Sequence, residues 1–545
     1  MSDPKQPSQS SGRTSTLWLD TCPAAPLDPL RSDVEADLCV VGAGIAGLTT
    51  AYLASLDGQR VVVLDDGAVG SGETGRTTAH FTAALDDRFE RLERLHGGRG
   101  ARLAAQSHAA AIDRVESIVA REGFDCGFER VDGYLFGTPD HPASELEAER
   151  DAAVRAGLPA RLVARAPLQA FDTGPALLFP RQAQLHPLRY LRGLADAVAA
   201  RGGRVHTGSH ATSLERGTPL RVATEAGPVV SAKAVVVATN VPVFERTTIH
   251  TKQAPYRTYV VVLPVPRSAV PHVLLWDTGR GHTEPIPYHY VRLHPAEGAD
   301  AHDLLIVGGE DHKTGQPDED EGLAEARWQR LVDWASERFP VLGPPRWRWS
   351  GQVAEPVDGL AFLGLEPGSN HPVYLATGDS GNGMTHGTLA GVVLSDLLAG
   401  RPDEWAALYD PGRVTLRAAA AWARENVNVA AQYADWFKAG GALSADDVPA
   451  GGGAVLAHGL QRYAVHRDRE GALHVCDAVC PHLGCVVRWN AAETTWDCPC
   501  HGSRFDAQGR VVNGPANADL APVDPADLPA APAHTEPLPI EPESA

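Results

Sequence analysis

The sequence predicts an α/β fold followed, toward the C-terminal end, by a small all-β domain. An apolar run at 37–41, a glycine turn, a helical stretch at 45–56 and a second apolar run at 61–64 form a strand, helix, strand unit. Strand-rich stretches separated by helices continue to residue 437. Beyond residue 453 the strands shorten, turns become dense, and five of the eight cysteines fall within 25 residues. The chain therefore combines at least two kinds of folded unit.

Length and composition define the class of protein. A chain of 545 residues is long enough for several domains of about 100 to 200 residues each. Apolar residues make up 43% and charged residues 21%, which is typical of globular proteins. The net charge of −20 repels phosphate backbones, so nucleic acid is not an expected partner. The polar start and the lack of any run of 18 apolar residues predict no membrane span and a cytoplasmic location.

The remaining elements follow from the spacing of apolar residues. Helical spacing predicts helices at 86–122, 146–156, 188–200, 389–398 and 413–437. Alternating or continuous apolar runs predict strands at 133–136, around 205, 222 and 235, and at 259–263, 288–293, 304–307 and 373–376. A Gly- and Ala-rich stretch at 439–453 indicates a linker, and seven prolines in the last 25 residues predict an extended or disordered tail.

Three glycines lie in the turn after the first strand. In the GxGxxG pattern, Gly42 allows the tight turn, Gly44 lets the backbone approach a pyrophosphate, and Gly47 lets the helix pack on the strand. The helix N-terminus attracts the anion. Asp65 ends the second strand, where its carboxylate can accept hydrogen bonds from a ribose. The pattern predicts a bound dinucleotide, and a plain glycine-rich turn with a solvated acid is the alternative.

Four later segments decide which dinucleotide is expected. They are GSGETGRTTAH (70–80), AVVVATN (234–240), WSGQVAEPVDGLAFLG (349–364) and GDSGNGMTHGTLAG (378–391). With the glycine turn they resemble the D-amino-acid oxidase and glycine oxidase family of FAD-dependent oxidoreductases, over roughly residues 34–425. The resemblance implies FAD as the cofactor. It also implies a Rossmann-like FAD-binding domain interleaved with an antiparallel-sheet substrate domain.

The same resemblance implies which residues bind FAD. Residues 70–78 would run beside the flavin, and a helix opening at 381–384 would point the positive end of its dipole at the flavin, stabilising the anionic reduced form. The predicted FAD-binding residues are Gly42, Gly44, Gly47, Asp65, Thr74, Gly75, Arg76, Thr77, Thr78, Gly378, Gly381, Gly383 and Met384.

Substrate contacts are expected on two later strands. The candidates are Arg257 and Tyr259 on one strand and Tyr288, His289 and Tyr290 on another. Arg257 could grip a substrate carboxylate with two hydrogen bonds, or be a surface arginine. His80 is open to two interpretations, covalent attachment of the flavin or a packing and hydrogen-bonding role. Flavoproteins of this type take a hydride from a carbon next to nitrogen or oxygen, so no catalytic base is nominated.

A second cluster of chemistry-bearing residues lies near the C-terminal end. Cys480 and His482 form CxH, Cys498 and His501 form CxxH, and 15 residues separate the two pairs. Two cysteines and two histidines are the ligand set of a Rieske [2Fe-2S] centre, in which the cysteines hold one iron and the histidines the other. Zinc can use the same four side chains, so the ligand count leaves both metals open.

The surrounding residues resemble the two cluster-binding loops of a Rieske domain, CPHLGC and CPCHGS. The resemblance implies a [2Fe-2S] cluster, a disulfide between Cys485 and Cys500, and a hydrogen bond from Ser503 to a bridging sulfide. Such a disulfide is unusual in a reducing cytosol. Cys476 lies outside the two loops and is expected in the core.

Ring-hydroxylating oxygenases also carry Rieske domains. Their catalytic iron needs two histidines and a carboxylate. Glu284, His282, His289 and His312 provide no convincing set, and the Rieske segment here follows the large part of the chain instead of preceding it. The overall layout resembles a bacterial group of FAD-dependent oxidoreductases with a C-terminal Rieske domain.

These observations lead to one expected organisation and activity. The predicted division is an N-terminal extension (1–34), an FAD-binding domain (35–95, 170–250 and 345–425), a substrate domain (96–169 and 251–344), a linker (426–453), a Rieske domain (454–525) and a Pro-rich tail (526–545). The enzyme is expected to oxidise an amine, amino acid or similar small substrate and to relay electrons from FAD through the cluster to ferredoxin, quinone or oxygen. The electrons would leave the cluster for the acceptor through an exposed edge at His482 and His501. The alternatives are an oxygen-reducing oxidase with a structural Rieske domain and a non-catalytic redox sensor.

The first testable prediction concerns the reduction potential of the cluster. High-potential respiratory Rieske proteins carry a tyrosine, two positions after the serine, that donates a hydrogen bond toward a cysteine sulfur, and this chain has Phe505 there. Hydrogen bonds to sulfur raise the potential, so we expect a value below the respiratory type. Potentiometric titration measures it, and a respiratory-type value would contradict the prediction.

Overall fold

The computed structural model describes residues 12–23, 27–139, 141, 143–245, 248–279, 288–296, 301–316, 321–436 and 444–528. Nine α-helices lie within these ranges: α1 (Leu17–Thr21), α2 (Ile45–Leu56), α3 (Phe89–Glu122), α4 (Ala143–Ala156), α5 (Pro187–Ala200), α6 (Glu321–Ser336), α7 (Gly383–Leu398), α8 (Ala406–Tyr409) and α9 (Ala419–Gln432). Among them, none is both long enough and apolar enough to cross a membrane. His282, Glu284 and most of the predicted tail lie outside the described residues.

The strands fall into two groups along the chain. In residues 12–436, which we call the large unit, they are β1 (Val34–Val41), β2 (Val61–Leu64), β3 (His80–Phe81), β4 (Glu129–Phe136), β5 (Arg161–Val163), β6 (Ala176–Gln184), β7 (Arg204–His206), β8 (Ala211–Glu215), β9 (Leu220–Thr224), β10 (Val229–Val237), β11 (Gln253–Pro266), β12 (Val273–Asp277), β13 (His289–His294), β14 (His302–Lys313), β15 (Trp347–Pro356), β16 (Phe362–Leu365) and β17 (Val373–Thr377). In residues 444–528, the C-terminal domain, they are β18 (Gly453–His458), β19 (Gln461–Arg467), β20 (Leu473–Asp477), β21 (Arg488–Asn490), β22 (Thr495–Asp497), β23 (Arg504–Asp506) and β24 (Val511–Asn513).

The first sheet of the large unit has a parallel core. β7, β2, β1, β10 and β17 run parallel in that order, and β8, β9 and β16 add antiparallel pairings. β1 lies in the middle, so the glycine turn that follows it lies at the carboxyl ends of the parallel strands, where such sheets bind ligands. α2 packs against β1, α5 and α7, and this cover explains why the central strands are continuous apolar runs.

The second sheet is almost entirely antiparallel. Its order is β15, β11, β14, β13, β12, β4, β6, β3, with β5 on β6, and only β12 and β4 pair in parallel. β6 and β15 fall within 170–250 and 345–425, stretches that the sequence assigned to the FAD-binding domain, yet they pair in this sheet. Strand pairing depends on contacts distant in sequence, which a local pattern does not carry. The mixed α/β fold with a separate small all-β domain confirms the predicted fold class.

Local differences from the predicted helices have backbone causes. α2 spans the predicted residues, but α3 begins at Phe89 because Arg88 adopts a left-handed conformation with φ 63°. The helix predicted over 413–437 begins only at Ala419. Val414 and Leu416, whose spacing suggested an earlier start, are 76% and 82% exposed, so no packing surface supports a helix there.

Glycine is required where α2 meets its neighbours. A Cβ on Gly47 would lie 1.9 Å from the carbonyl oxygen of Gly42, and Gly42 itself has φ +111°. Where α7 crosses α2, a Cβ on Gly387 would lie 2.5 Å from Ile45 Cγ2. These close approaches hold the glycine turn, α2 and α7 together as one rigid group.

The C-terminal domain consists of two small antiparallel sheets, β18–β20 and β21–β24. Trp489, Trp496 and Phe505 fill its core. Cys476 is 3% exposed and its thiol donates to the carbonyl of Gln508, which confirms the core position expected from the sequence.

Five buried charges lie where the C-terminal domain meets the large unit. We call them the interface ion network: Arg76, Arg257, Glu493, Asp497 and Arg504. Glu493 Oε1 lies 3.2 Å from Arg76 Nη1 and 3.6 Å from Arg257 Nη2. Asp497 lies 3.1 Å from Arg504 Nε and 3.9 Å from Arg257 Nη1. All five side chains are at most 2% exposed, so each buried charge is compensated by a neighbouring charge of opposite sign.

The N-terminal segment completes this network. Thr14 Oγ1 donates to Glu493 Oε1 at 2.6 Å, and Arg76 donates to the carbonyl oxygen of Gly12 at 3.0 Å. Ser350 Oγ also donates to Glu493 Oε1, at 2.5 Å. The predicted N-terminal extension therefore joins the two units from residue 12 onward.

Glu493→Gln tests the interface ion network. The substitution keeps the shape of the side chain but removes the charge that faces Arg76 and Arg257. We expect the free energy of unfolding, measured in urea, to fall by about 3 kcal/mol or more, because the buried Arg76 loses the carboxylate that faces it and Arg257 loses one of its two. Glu470→Gln, at an exposed position of the same domain, is the control and should leave stability unchanged.

The same variant has a pH signature. Burial opposes ionisation of Glu493, but Arg76, Arg257 and Arg504 outweigh it and lower its pKa from 4.5 to about 2. A lowered pKa stabilises the fold above about pH 4.5, and this contribution is lost as the pH falls toward 2. The stability difference between wild type and Glu493→Gln should therefore narrow over that range, and a constant difference would contradict the assignment.

Candidate functional site

A cavity of about 580 Å³ lies where the two sheets and the C-terminal domain meet. The glycine turn, most of the segment 70–78 and the start of α7 line one side of it. The C-terminal domain contributes residues 511–514, 516 and 517. The volume of this cavity is typical of cofactor and ligand sites.

The glycine turn is held by side chains that also face the cavity. Gly44 precedes α2, and Thr74 Oγ1 accepts from the Ile45 N–H at 3.2 Å, which leaves the other N–H groups of the first turn for an anion. Asp65 Oδ2 accepts from the Ala43 N–H at 2.6 Å. Burial raises the pKa of Asp65 to about 7, with the Asp66 charge adding to the shift. Asp65 thus stabilises the glycine turn through this hydrogen bond and also lines the cavity.

Some residues of the segment 70–78 line the cavity, and others make packing or ion-pair contacts within the protein. Thr74, Thr77 and Thr78 line the cavity. Gly75 is packed so that a Cβ there would lie 2.4 Å from the Gly70 carbonyl oxygen. Arg76, predicted to bind FAD, also lines the cavity, while its guanidinium belongs to the interface ion network.

The start of α7 faces the cavity. Gly378, Gly381, Gly383 and Met384 all line it, and the helix begins at Gly383. Gly381 has φ +69°, and a Cβ there would lie 2.0 Å from Asp86 Oδ2. The positive end of the helix dipole therefore meets the cavity where the sequence expected the flavin.

The cavity fits FAD by its polar groups as well as by its size. Ser71 Oγ and Asn240 Nδ2 are buried, line the cavity, and have no hydrogen-bond partner in the described part of the chain. Buried polar groups rarely stay unsatisfied, so these two atoms mark places for polar atoms of a ligand.

Carboxylates and tyrosines form another wall of the cavity. The Tyr288 hydroxyl donates to Asp86 Oδ2 at 2.5 Å, and Tyr288 and Tyr290 lie with ring centroids 5.5 Å apart. Burial raises the pKa of Asp311 to about 7 and that of Glu355 to about 8, and nearby carboxylates add to the shift of Glu355. The wall therefore holds several acids that titrate near neutral pH. Nothing in the local sequence around these acids distinguishes them.

Only part of the predicted substrate set reaches the cavity. Tyr288 and Tyr290 line it, whereas Arg257 lies in the interface ion network and Tyr259 stacks on His312 on the other side of the sheet. The expectation for Arg257 is wrong because successive residues of a strand point to opposite faces. Tyr256 and Thr258, which alternate with the predicted pair, line the cavity instead.

The predicted histidines are engaged within the protein. His289 Nδ1 lies 2.8 Å from Asp277 Oδ2 and its ring stacks on Trp334. His80 lines the cavity, but Nδ1 lies 3.0 Å from Thr78 Oγ1 and Nε2 lies 3.2 Å from the Val291 carbonyl oxygen. Since both ring nitrogens are used, the geometry favours the hydrogen-bonding interpretation of His80.

The four predicted cluster ligands lie together in the C-terminal domain. Cys480 and His482 follow β20, Cys498 and His501 follow β22, and the two imidazole rings are 5.1 Å apart. A hydrogen bond between the two thiols lowers the pKa of Cys480 to about 7 and raises the pKa of Cys498, so the pair shares one proton. His501 Nδ1 is buried and has no hydrogen-bond partner among the described residues. The donor set fits a [2Fe-2S] cluster of the Rieske type.

A disulfide joins the two turns that carry these ligands. Cys485 and Cys500 form it, with their Cα atoms 6.4 Å apart, as the resemblance implied. The Ser503 side chain hydrogen-bonds Cys480, and Ser503 Oγ accepts from the Ala516 N–H at 2.9 Å. Its bond to a bridging sulfide stays a prediction.

His482 and His501, which we call the histidine edge, were expected to be exposed, and this expectation is wrong. Each is only 7% exposed. His250 of the large unit lies with its ring centroid 4.7 Å from that of His482 and 5.9 Å from that of His501. Docking of the C-terminal domain covers the edge, so it faces the large unit and not the solvent. No sequence motif surrounds His250, so its place beside the histidine edge could not be predicted from a local pattern.

Comparisons with known proteins agree with these two units. The family model described as FAD dependent oxidoreductase (DAO) matches residues 37–397, and that of the Rieske [2Fe-2S] domain matches residues 440–524. YhfW, a Rieske 2Fe-2S iron-sulfur protein of Bacillus subtilis (strain 168), is 29% identical over 512 residues, or 93% of this chain and 97% of that protein. The gamma-glutamylputrescine oxidoreductase of Escherichia coli (strain K12) is 28% identical over 416 residues, or 72% of this chain and 92% of that protein.

A solved structure shows the same fold for the large unit. Glycine oxidase from Geobacillus kaustophilus superimposes with a TM-score of 0.57 at 19% identity, covering 70% of this chain and 99% of that one. The two family matches together identify the cofactors as FAD and a [2Fe-2S] cluster. The chain therefore belongs to the DAO family of FAD-dependent oxidoreductases, with a Rieske domain at its C-terminal end.

Proposed function

We propose that this enzyme is a dehydrogenase that oxidises a small amine by hydride transfer to FAD and relays the electrons through the Rieske cluster to an acceptor. One observation carries the proposal: the C-terminal domain supplies residues 511–514, 516 and 517 to the wall of the cavity that the glycine turn also lines. A domain with only a structural role would not need to line that cavity. FAD exchanges electrons singly or in pairs, whereas the cluster takes one at a time, so the two cofactors suit a relay.

The residues that would hold the cofactors follow from the geometry. Cys480 and Cys498 would bind one iron, and His482 and His501 the other. The N–H groups of the glycine turn would receive the FAD pyrophosphate, and the start of α7 would face the flavin. The interface ion network holds the two cofactor sites in a fixed relative position, since it joins the segment 70–78, which lines the cavity, to β22.

The cavity wall favours a cationic amine over an amino acid. Asp86, Asp311 and Glu355 offer carboxyl oxygens that can accept hydrogen bonds from an ammonium group, whose charge would in turn favour their ionised forms, and Tyr288 and Tyr290 offer aromatic faces, to which ammonium groups are attracted. A substrate carboxylate would gain no such pairing with these acids. The E. coli relative is named for gamma-glutamylputrescine, a compound that joins the amine putrescine to a glutamyl group.

The arginines at the cavity support the same choice. Those that line it each have an acceptor within this chain: Arg76 with Glu493, Arg88 with the Asp277 carbonyl, Arg91 with Asp87, Arg94 with Glu90, and Arg424 with Glu425. The buried Arg76 in particular is committed to the interface ion network, and a substrate carboxylate would have to compete with Glu493 for it.

Asp311 has the properties of a proton acceptor for the substrate. Its Oδ1 is buried and has no hydrogen-bond partner among the described residues, and its pKa of about 7 lets it take a proton near neutral pH. An ammonium substrate must lose a proton before its C–H bond gives up a hydride readily. We therefore assign Asp311 Oδ1 the role of holding that proton.

Anaerobic stopped-flow measurements test the relay. Putrescine and spermidine are mixed with the holoenzyme, with glycine and D-alanine as amino acid comparisons, and flavin and cluster absorbance are followed together. We expect an amine to bleach the flavin first and the cluster second. In Cys498→Ser, we expect loss of the Rieske electron paramagnetic resonance signal and loss of the second phase, with flavin reduction retained.

Other outcomes would identify the alternatives. A cluster that stays oxidised through many turnovers in air indicates an oxygen-reducing oxidase. Absence of sustained turnover with every amine and amino acid, even with an artificial acceptor, indicates a redox sensor. A signal that survives Cys498→Ser shows that the ligand assignment is wrong.

Asp311→Asn tests the substrate assignment. We expect the KM for the reactive amine to rise about tenfold or more, because a hydrogen bond to a charged group contributes about 1.5–3 kcal/mol. We also expect the pH dependence of flavin reduction near pH 7 to change, because the variant cannot accept the proton. Glu310→Gln is the matched control, since Glu310 is the next residue on β14 and pairs with Arg330 outside the cavity. Unaltered kinetics in Asp311→Asn would refute the role.

A further inference from the structure

His250 is the residue of the large unit that meets the histidine edge. It lies in the turn before β11, is 3% exposed, and its ring contacts both His482 and His501. It is neither a predicted cluster ligand nor part of the cavity wall. Its position between the two cofactor sites therefore calls for a function of its own.

The orientation of the His250 ring is set by Glu245. His250 Nε2 donates to the Glu245 carbonyl oxygen at 2.7 Å. The Glu245 carboxylate accepts from the N–H groups of Thr248 at 2.6 Å and Ile249 at 3.0 Å, so the residues directly before His250 are anchored to Glu245 as well. A ring held at one nitrogen by such a turn presents a fixed face to the histidine edge.

The same turn is continuous with the cavity wall. Asn240 and Val243 before His250, and Ala254 after it, line the cavity. Val243 also packs against the C-terminal domain, since a Cβ on Gly514 would lie 2.8 Å from its Cγ1. Described residues before and after His250 thus border the cavity, and His250 itself contacts the rings of two predicted iron ligands.

We propose that His250 is a positioning residue for electron transfer between FAD and the cluster. It fixes the rings of the histidine edge and excludes water from it. The inference rests on the proposed relay, in which reduced FAD is oxidised by one electron at a time, the cluster is reduced by one, and the protons of the flavin leave to solvent. His250 itself neither gains nor loses an electron or a proton.

The test uses the holoenzyme of wild type, His250→Ala and His250→Phe. A laser pulse on deazaflavin, with EDTA as donor, adds one electron, and flavin and cluster absorbance report its redistribution. We expect the transfer rate to fall about tenfold in His250→Ala, the size of effect typical of groups that orient metal ligands. His250→Phe keeps a ring but loses the bond to Glu245, so an intermediate rate is expected. FAD content and cluster signal normalise both variants for folding.

Two further measurements separate positioning from simple support of the fold. The electron paramagnetic resonance g values report the environment of the cluster, and we expect them to shift in both variants. The reduction potential should rise in His250→Ala, because water admitted to the edge stabilises the extra negative charge of the reduced cluster. His474→Ala is the control, since His474 lies in the same domain and pairs with Asp468, and all three readouts should stay at wild-type values.

The outcomes distinguish this inference from the proposed function. If the wild type shows no redistribution between flavin and cluster, the relay itself is wrong. If the wild type transfers and both His250 variants match it in rate, g values and potential, the role of His250 is refuted. Slower transfer with unchanged g values and potential would also refute it, because loosened docking alone would then account for the rate.

Discussion

The buried charge of Glu493 determines where the C-terminal domain can sit. A carboxylate in a dry interface is tolerated only while cations face it, so Glu493 requires Arg76 and Arg257 in their present places. Arg76 belongs to the segment that lines the cavity, and Arg257 belongs to β11, whose alternate residues line it too. The cavity wall, the docked domain and the cover over the histidine edge thus depend on the same contacts. A shifted docking position would leave buried charges without a partner, so the network specifies the one arrangement in which the two units fit.

Much of the site could be predicted because its signals are local. α2 spans the predicted residues since a glycine turn and apolar spacing define its ends, and the need for Gly47 follows from its approach to Gly42. The CxH and CxxH pairs each occupy one turn, so their spacing alone indicates a shared centre. Such features depend on residues a few positions apart, and tertiary packing does not overturn them.

The parts that could not be predicted depend on register and on distant pairing. Tyr256 and Arg257 are neighbours in sequence, yet one faces the cavity and the other the interface, and the pairing of β11 with β14 and β15 decides which. Asp86, Asp311 and Glu355 come from three separate regions, and a single acid carries no pattern that marks it as buried. The interface ion network is similar, because Glu493 lies in a turn of a different domain from its partners.

In the proposed relay, enclosure of the histidine edge would change the kinetic character of the electron step. In proteins that exchange electrons with a diffusing carrier, the rate depends on collision frequency and on ionic strength, because exposed charges steer the encounter. Here the two cofactor sites are held in one chain, so their effective concentration is constant at any dilution. Salt and crowding should scarcely influence the internal step, and unrelated one-electron oxidants are denied the edge. In the proposed relay, the large unit thereby shields the histidine edge, and an external acceptor would have to approach the cluster from another side of the C-terminal domain.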